Sequence, residues 1–293
     1  MIIMDIINDI SNSIVKASIT LSEDKEKALK DAIKNESNEN AQWVLEQILE
    51  NFYIAKKNQS PLCDDTGIPH VIIELGSRRE ITGKLINQIN EGIAIGLNKL
   101  PGRPMAVKGN DLERLEQSNG LYQNPGMLKP TPFIIDTKND FSTYNKDISP
   151  DTLNIHFLLL GGGPEIRGKT YRVFHKRSYL NIVDTAISWL KSSLKKLGCT
   201  PTIPSIGIGR THFEATSLML KTIAYGDLFK QSIIERYVTD SINKTNIGPM
   251  GLGGKTTALG SFVNIGNQRA SGVRIVSIRL SCFVEPRVAT LKL

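Results

Sequence analysis

The second half of the chain alternates between short apolar runs and longer segments with helical periodicity. The predicted strands cover 153–160, 203–208, 261–265 and 273–282, and the predicted helices cover 179–197, 211–225 and 228–242. Strands and helices that follow one another in this way pack as layers on a shared core. The pattern therefore predicts a mixed α/β (α+β) fold in which helices cover a sheet.

The first sixty residues show helical periodicity and no strand pattern. Six apolar residues recur at intervals of three and four and would line one face of a helix: Ala41, Val44, Leu45, Ile48, Leu49 and Phe52. Thr20 and Glu23 have the spacing of a capping box, which predicts the start of another helix. We therefore predict a helical N-terminal section over residues 1–60.

The segment that joins these two parts is more irregular. It contains a predicted strand at 70–75, a predicted helix at 81–97, and a stretch at 100–129 that is rich in glycine, proline and asparagine. A loop of that length inside a compact protein is usually functional or disordered. No internal repeat or low-complexity linker divides the chain, so the sequence predicts one domain over residues 1–293.

Three cysteines, Cys63, Cys199 and Cys282, are all that the chain contains. A free cysteine is more often a small buried apolar residue than a ligand, and alternation would place Cys282 on the core face of its strand. However, each of the three lies next to glycine, proline or a short polar turn. Three thiolates also suit a four-iron iron–sulfur cluster, because they would bind three of its irons and leave the fourth open as a Lewis acid.

Composition and charge indicate where in the cell the protein works and what kind of partner it binds. The sequence predicts a cytoplasmic chain that lies outside the membrane and keeps its thiols reduced. It has an odd number of cysteines, no signal-like start and no apolar run of about 18 residues. The net charge of +7 is spread over helical faces. We expect no nucleic-acid partner, because no nucleic-acid motif accompanies the charge and an anionic substrate explains it equally well.

Two further stretches hold candidate functional residues. Asp64 and Asp65 follow the first cysteine, where carboxylates can act as acid or base beside a metal, although the same residues could simply form a turn. The glycine-rich segment 246–257 lacks the spacing of a phosphate-binding loop, because Pro249 stands where a glycine is required. Its glycines instead permit close backbone approach to a ligand, with Lys255 offering charge.

Together these stretches resemble the α subunit, or N-terminal catalytic domain, of the class I iron–sulfur hydro-lyases, which comprise class I fumarase and L(+)-tartrate dehydratase. The motifs that carry the resemblance are C-D-D-T-G at 63–67, G-R-P-M-A-V at 102–107, L-G-G-G at 160–163, C-T-P-T-I-P-S-I-G-I-G at 199–209, N-I-G-P-M-G-L-G-G-K-T at 246–256 and L-S-C at 280–282. Every cysteine falls on a ligand position of the family.

The resemblance implies roles for these positions. Cys63, Cys199 and Cys282 would hold a [4Fe–4S] cluster whose open iron binds a 2-hydroxy dicarboxylate. Asp65 would take part in acid/base chemistry, with Asp64 beside it, and Arg103 would pair with a substrate carboxylate. The remaining substrate contacts that it implies are Gly162 and Gly163. A separate β subunit would complete the site, in an assembly that is a heterotetramer or contains a dimer of α chains.

Three positions depart from the family pattern. Asp64 replaces the usual glutamine, and Met105 stands where an asparagine commonly follows the arginine–proline pair. The histidine that often precedes the last cysteine is missing, and Arg269 is the candidate substitute. Fumarate and (S)-malate are the leading predicted substrates, with L(+)-tartrate or mesaconate-type acids as alternatives. Two other hypotheses are a non-hydrating iron–sulfur homologue and, as the weakest, a basic nucleic-acid-binding protein with structural cysteines.

Overall fold

The computed structural model describes residues 2–100, 102–137, 142–144 and 148–293, with side chains from Ile6 onward. The helices are α1 (Ile2–Ile19), α2 (Glu23–Asn35), α3 (Glu39–Asn58), α4 (Gly83–Lys99), α5 (Asp111–Glu116), α6 (Gly162–Glu165), α7 (Tyr179–Leu194), α8 (His212–Tyr225) and α9 (Ile233–Asn243), with short 3₁₀ turns at Pro125–Met127 and Pro249–Gly251. None of the helices in these ranges is long and apolar enough to cross a bilayer.

The strands form two four-stranded mixed sheets. They are β1 (Ile68–Leu75), β2 (Ile134–Asp136), β3 (Leu153–Leu160), β4 (Lys169–Phe174), β5 (Ser205–Gly209), β6 (Phe262–Ile265), β7 (Val273–Arg279) and β8 (Val288–Lys292). Sheet one has the order β2-β1-β3-β8 and sheet two the order β4-β7-β5-β6. In each sheet one pair is parallel, β1 with β2 and β5 with β6, and the other pairs are antiparallel. The predicted mixed α/β class is confirmed.

Helix α8 lies between the two sheets. On one side, Met219 and Ile223 pack against Ile72 and Leu158 of sheet one. On the other side, α8 packs closely on β5 and β7 of sheet two. Helices α1 and α4 cover the outer face of sheet one, and α7 and α9 cover the outer face of sheet two. The architecture is therefore five alternating layers of helix and sheet, each apolar face buried against the next.

Helices α2 and α3 pack on loops instead of on a sheet. Leu29 of α2 and Phe52 of α3 form one apolar cluster with Leu62 and Val284, which belong to two of the cysteine-bearing loops. The apolar face that the sequence predicts on α3 is confirmed, since five of its six residues are buried and the sixth packs against the cluster. The helical N-terminal section thus supports the loops that carry the candidate ligands.

The ends of several elements differ from the predictions. Strand β7 ends at Arg279, because the chain turns away to place Cys282 against the α2–α3 cluster. Helix α9 begins at Ile233, because Ser232 and Glu235 form its capping box. The predicted capping box at Thr20 is wrong, since the Thr20 hydroxyl donates to the Lys16 carbonyl at 2.6 Å and α2 begins after Ser22.

Three strands and two short helices, α5 and α6, were not predicted. Strand β4 is an edge strand in which polar and apolar residues are mixed and most are exposed, so it lacks an apolar run. Strands β2 and β8 are short edge strands. Helix α5 lies inside the predicted loop 100–129 and buries no residue. Elements of this kind carry little hydrophobic periodicity, because one face or both remain in water.

Replacing Gly207 with alanine should destabilise the protein. A Cβ at Gly207 of β5 would lie 2.0 Å from the carbonyl oxygen of Ala215 and 2.4 Å from the amide nitrogen of Met219 on α8. The helix must move away from sheet two, which typically costs about 1–3 kcal/mol. Urea denaturation measures this loss. Gly83→Ala is the control, because no heavy atom lies within 4 Å of its Cβ position, and equal midpoints for the two variants would contradict the packing.

Candidate active site

The three cysteine-bearing loops lie next to one another. The amide of Phe283, directly after Cys282, donates to the carbonyl oxygen of Cys199 at 2.9 Å. Cys63 and Cys282 both pack against the α2–α3 cluster, and Cys63 is close enough to Cys199 for its charge to affect that thiol. All three are half-buried free thiols. The structure therefore brings together three residues that are more than 80 positions apart in the sequence.

Local hydrogen bonds hold each loop in place. The first loop is anchored by the amide of Leu62, which donates to the carbonyl of Ser18 at 3.1 Å. The second and third loops are joined by two reciprocal bonds, since Ser281 donates from its amide to Thr202 Oγ1 at 3.0 Å and accepts from the amide of Ile203 at 2.7 Å. The glycine-rich segment contacts the second loop, since the Thr200 hydroxyl donates to the carbonyl oxygen of Gly248.

The surroundings of two thiols disfavour a free thiolate. Burial raises the pKa of Cys282 to about 12, and the negative charge of Glu285 adds to the effect. Burial also raises the pKa of Cys199, with a smaller contribution from the charge of Cys63. Since a metal ligand must be a thiolate, these sites would need a bound cation to offset the cost of burying charge.

The three cysteines are residues that could hold a metal cofactor. Over the described ranges, no group of three or more His, Cys, Asp or Glu side chains is arranged to hold one metal ion. An iron–sulfur cluster is larger, because each thiolate binds its own iron and sulfides occupy the space between them. Three half-buried thiols on adjoining loops, with no fourth cysteine in the chain, match a cluster that has one open iron.

Asp65 is held beside these loops by backbone donors from two elements. Its Oδ1 accepts the amide of Gly67 at 3.1 Å, and its Oδ2 accepts the amide of Gly162, at the start of α6, at 2.9 Å. Gly67 has φ +83° and lies against Arg287 and the end of β3, so a side chain there would be strained and would collide. The carboxylate is therefore fixed in one orientation.

Arg103 lies at the exposed side of the same loop. Its Nη1 is 3.4 Å from Oδ2 of Asp64, and both side chains are mostly exposed. The structure thus brings together four predicted site residues, namely Asp64, Asp65, Arg103 and Gly162. Gly163 follows in the first turn of α6, where its carbonyl accepts Arg167 Nη1 at 2.6 Å. An exposed pair at this distance contributes about 0–1 kcal/mol, so an anionic ligand can replace Asp64 at Arg103.

Two predicted substrate-binding residues do not join this group. Arg269 is exposed in the loop before β7, and Cys282 follows the other end of that strand. The seven residues of β7 span roughly 23 Å at about 3.3 Å per residue, so the length of the strand separates Arg269 from Cys282. Lys255 is also exposed, and its Nζ lies 3.5 Å from the carbonyl oxygen of Asn35 between α2 and α3. The role assigned to each of them stays a prediction.

A buried ionic cluster beside Asp65 was not predicted. Glu285 receives Nη1 of Arg279 at 2.6 Å and Nη2 at 3.2 Å, and its Oε1 accepts the amide of Gly161. Both side chains are almost fully buried, as is Arg287 nearby. Burial acts to raise the pKa of Glu285, but the charge and hydrogen bonds of Arg279 keep it below its ordinary value. Charged residues three and five positions after Cys282 were the only sequence signal.

Glu285→Gln should destabilise the protein far more than Glu165→Gln. Both carboxylates bind Arg279, but Glu285 is 1% exposed and Glu165 is 52% exposed. Removing one partner of a buried pair costs about 3–5 kcal/mol, whereas an exposed pair contributes about 0–1 kcal/mol. Urea denaturation at neutral pH measures both losses, and similar losses would contradict the assigned importance of the buried pair.

The same pair predicts acid sensitivity. The pKa of Glu285 is lower in the folded chain than its ordinary 4.5, so its contribution is present above that value and is lost as the pH falls toward the folded-state pKa. Glu285→Gln should therefore flatten the dependence of unfolding free energy on pH below about 4.5. Urea denaturation over a pH series measures this, and an unchanged slope would count against it.

Comparisons with known proteins identify the family of the chain. The family model described as "Fumarate hydratase (Fumerase)" matches residues 7–292. A protein of Methanocaldococcus jannaschii named "Putative L(+)-tartrate dehydratase subunit alpha" is 30% identical over 281 residues, which covers 93% of this chain and 92% of that protein. The L(+)-tartrate dehydratase subunit alpha of Escherichia coli K12 is 24% identical over 269 residues, covering 90% of this chain and 82% of the relative. Since the family model covers nearly the whole chain, the chain belongs to the fumarate hydratase (Fumerase) family.

Proposed function

We propose that the chain is the α subunit of a hydro-lyase that reversibly hydrates and dehydrates a small dicarboxylate, with fumarate and (S)-malate as the first substrates to test. One observation carries the proposal. Three thiol-bearing loops adjoin one another, and on the loop of Cys63 the Asp65 carboxylate is oriented by Gly162 and Asp64 meets Arg103. Ligands for a cofactor, a candidate acid/base group and a carboxylate-binding arginine are thus adjacent.

Cys63, Cys199 and Cys282 would hold a [4Fe–4S] cluster. When bound, such a cluster supplies an open iron as a Lewis acid for the carbon–oxygen bond that breaks or forms. The placement of three half-buried thiols on adjoining loops supports this assignment, because each thiolate can bind one iron of the cluster. Half-exposed thiols of this kind also fit a reducing compartment, and we propose a cytoplasmic location.

The side chains of the candidate site have separable tasks. Arg103 can bind a substrate carboxylate through two parallel N–H donors, and the weak, exposed contact with Asp64 gives way on binding. Asp65 would transfer the proton at the carbon adjacent to the one that carries the departing hydroxyl, since its carboxylate is held still by two amides. Gly163 could add a backbone donor, whereas the amide of Gly162 already serves Asp65.

A partner chain would complete the site. Arg103 and Asp64 are mostly exposed, so the substrate position is open to solvent unless another chain covers it. The relatives are named as α subunits, which supports a β subunit as that partner. We propose an α–β assembly in which the β subunit contributes further basic residues opposite Asp65, as a heterotetramer or around a dimer of α chains.

L(+)-tartrate is the second candidate substrate. The names of both relatives favour it. Tartrate also carries one more hydroxyl than malate, and Asp64 offers an exposed carboxylate that could accept a hydrogen bond from it. Mesaconate-type acids, which carry an additional methyl group, lack a matching feature among the residues around Asp65.

Anaerobic reconstitution with iron and sulfide tests the cofactor. The wild-type chain should become brown, with broad visible absorbance and bound iron, and Cys63→Ser, Cys199→Ser and Cys282→Ser should each lose most of it. Asp65→Asn is the matched control, since it removes a neighbouring carboxylate and no proposed ligand, and should keep the colour. Equal iron content in all five proteins would rule out the three-cysteine site.

Co-purification with the β subunit followed by a substrate panel tests the activity. The complex should hydrate fumarate, and the chain alone should show negligible turnover with the cluster rebuilt. Asp65→Asn should lower kcat by about 10²–10⁴-fold, and Arg103→Met should mainly raise KM. Faster turnover of L(+)-tartrate would select the second candidate, and a loaded complex without activity on any of these acids would indicate a non-hydrating homologue.

A further inference from the structure

Arg287 is a buried arginine beneath the turn that carries Asp65. It is 1% exposed. Its Nη1 donates to the carbonyl oxygen of Asp65 at 2.7 Å, and its Nε donates to the carbonyl oxygen of Leu159, near the end of β3, at 3.1 Å. One guanidinium therefore joins the Asp65 turn to the strand that leads into α6. Neither contact belongs to the ligand and substrate-binding groups described above.

The place that this arginine occupies exists because Gly67 has no side chain. A Cβ at Gly67 would lie 2.7 Å from Nη2 of Arg287 and 2.8 Å from the amide nitrogen of Leu160. Nη2 makes no hydrogen bond and lies 4.0 Å from Oε1 of Glu285. The guanidinium is thus held by packing under Gly67, by two carbonyls, and by the charge of a buried carboxylate.

Two carboxylates bind consecutive amides at the end of β3. Glu285 accepts the amide of Gly161, and Asp65 accepts the amide of Gly162. A Cβ at Gly161 would lie 3.0 Å from Asp65 Oδ2 and 3.3 Å from Glu285 Oε1, so both carboxylates approach the same turn closely. Because Arg287 holds the backbone of Asp65 against β3, it sets the distance between the Asp65 carboxylate and the turn.

We infer that Arg287 is a positioning residue that fixes the Asp65 carboxylate on the amide of Gly162. Its mechanistic consequence rests on the proposed function of Asp65 as the acid/base group. The task needs an arginine, because a planar guanidinium can donate to two carbonyls on different elements at once. A lysine at 287 would keep the charge but reach only one of them.

The effect on turnover is measured in the complete α–β enzyme with rebuilt cluster. Arg287→Met should lower kcat by about 10²-fold with little change in KM, because a displacement of about 1 Å at a reacting group costs that much while the binding contacts at Arg103 stay intact. Arg287→Lys should recover part of the loss. Arg274→Met is the control, since Arg274 also donates to backbone carbonyls. It lies at the start of β7, whereas Arg287 lies beyond the end of that strand.

Hydrogen exchange of the full chain measures the positioning without turnover. The amides of Gly67 and Gly162 both donate to Asp65, so Arg287→Met should speed their exchange by tenfold or more and Arg274→Met should leave it unchanged. Unchanged exchange in a folded Arg287→Met chain, or a raised KM with wild-type kcat, would overturn the inference.

If Arg287→Met does not fold, Arg287→Lys decides, because a lysine can reach only one of the two carbonyls; wild-type exchange at Gly162 together with wild-type kcat in that variant would overturn the inference. If the wild-type enzyme turns over no dicarboxylate, the proposed function fails, and the exchange data alone decide the role of Arg287.

Discussion

The ion pair between Arg279 and Glu285 is the interaction on which the rest of the site depends. Arg279 is the last residue of β7 in sheet two, and Glu285 binds the amide of Gly161, which directly follows β3 in sheet one. The pair therefore joins the ends of two sheets that are otherwise separated by α8. Such a buried pair is favourable only when its hydrogen bonds are complete, and here backbone groups of both sheets complete them.

The loop of Cys282 and the turn of Asp65 are both linked to this ion pair. The segment that leads from Arg279 to Arg287 carries Cys282, whose neighbour Phe283 pairs with the loop of Cys199. At the other side, Arg287 reaches the turn of Asp65. A hydro-lyase site needs its Lewis acid and its acid/base group at a constant separation, because both act on adjacent carbons of one small substrate. A rigid buried segment between them meets that requirement.

The electrostatic balance of the site also bears on its substrate. Asp64 adds a carboxylate where the family usually has an uncharged side chain, yet it lies beside Arg103 and partly neutralises it. Without a ligand, Arg103 is thereby kept near the loop at little energetic cost. In the proposed function, a dicarboxylate that displaces Asp64 would leave that carboxylate free to accept a hydrogen bond from a hydroxyl, so this one position would connect binding to discrimination between malate and tartrate.

The sequence by itself determined the fold class, the apolar face of α3 and the positions of the loops that carry Cys63 and Cys199, because these depend on local periodicity and on glycine and proline at short range. It missed three of the four edge strands, β2, β4 and β8, and it gave no weight to Glu285, whose role depends partly on the amide of Gly161, more than 100 residues away. The substrate-binding roles that it assigned to Arg269 and Lys255 stay predictions. Only the tertiary structure decided which charges meet, since burial and pairing arise when distant segments pack together, and local spacing carries no record of that packing.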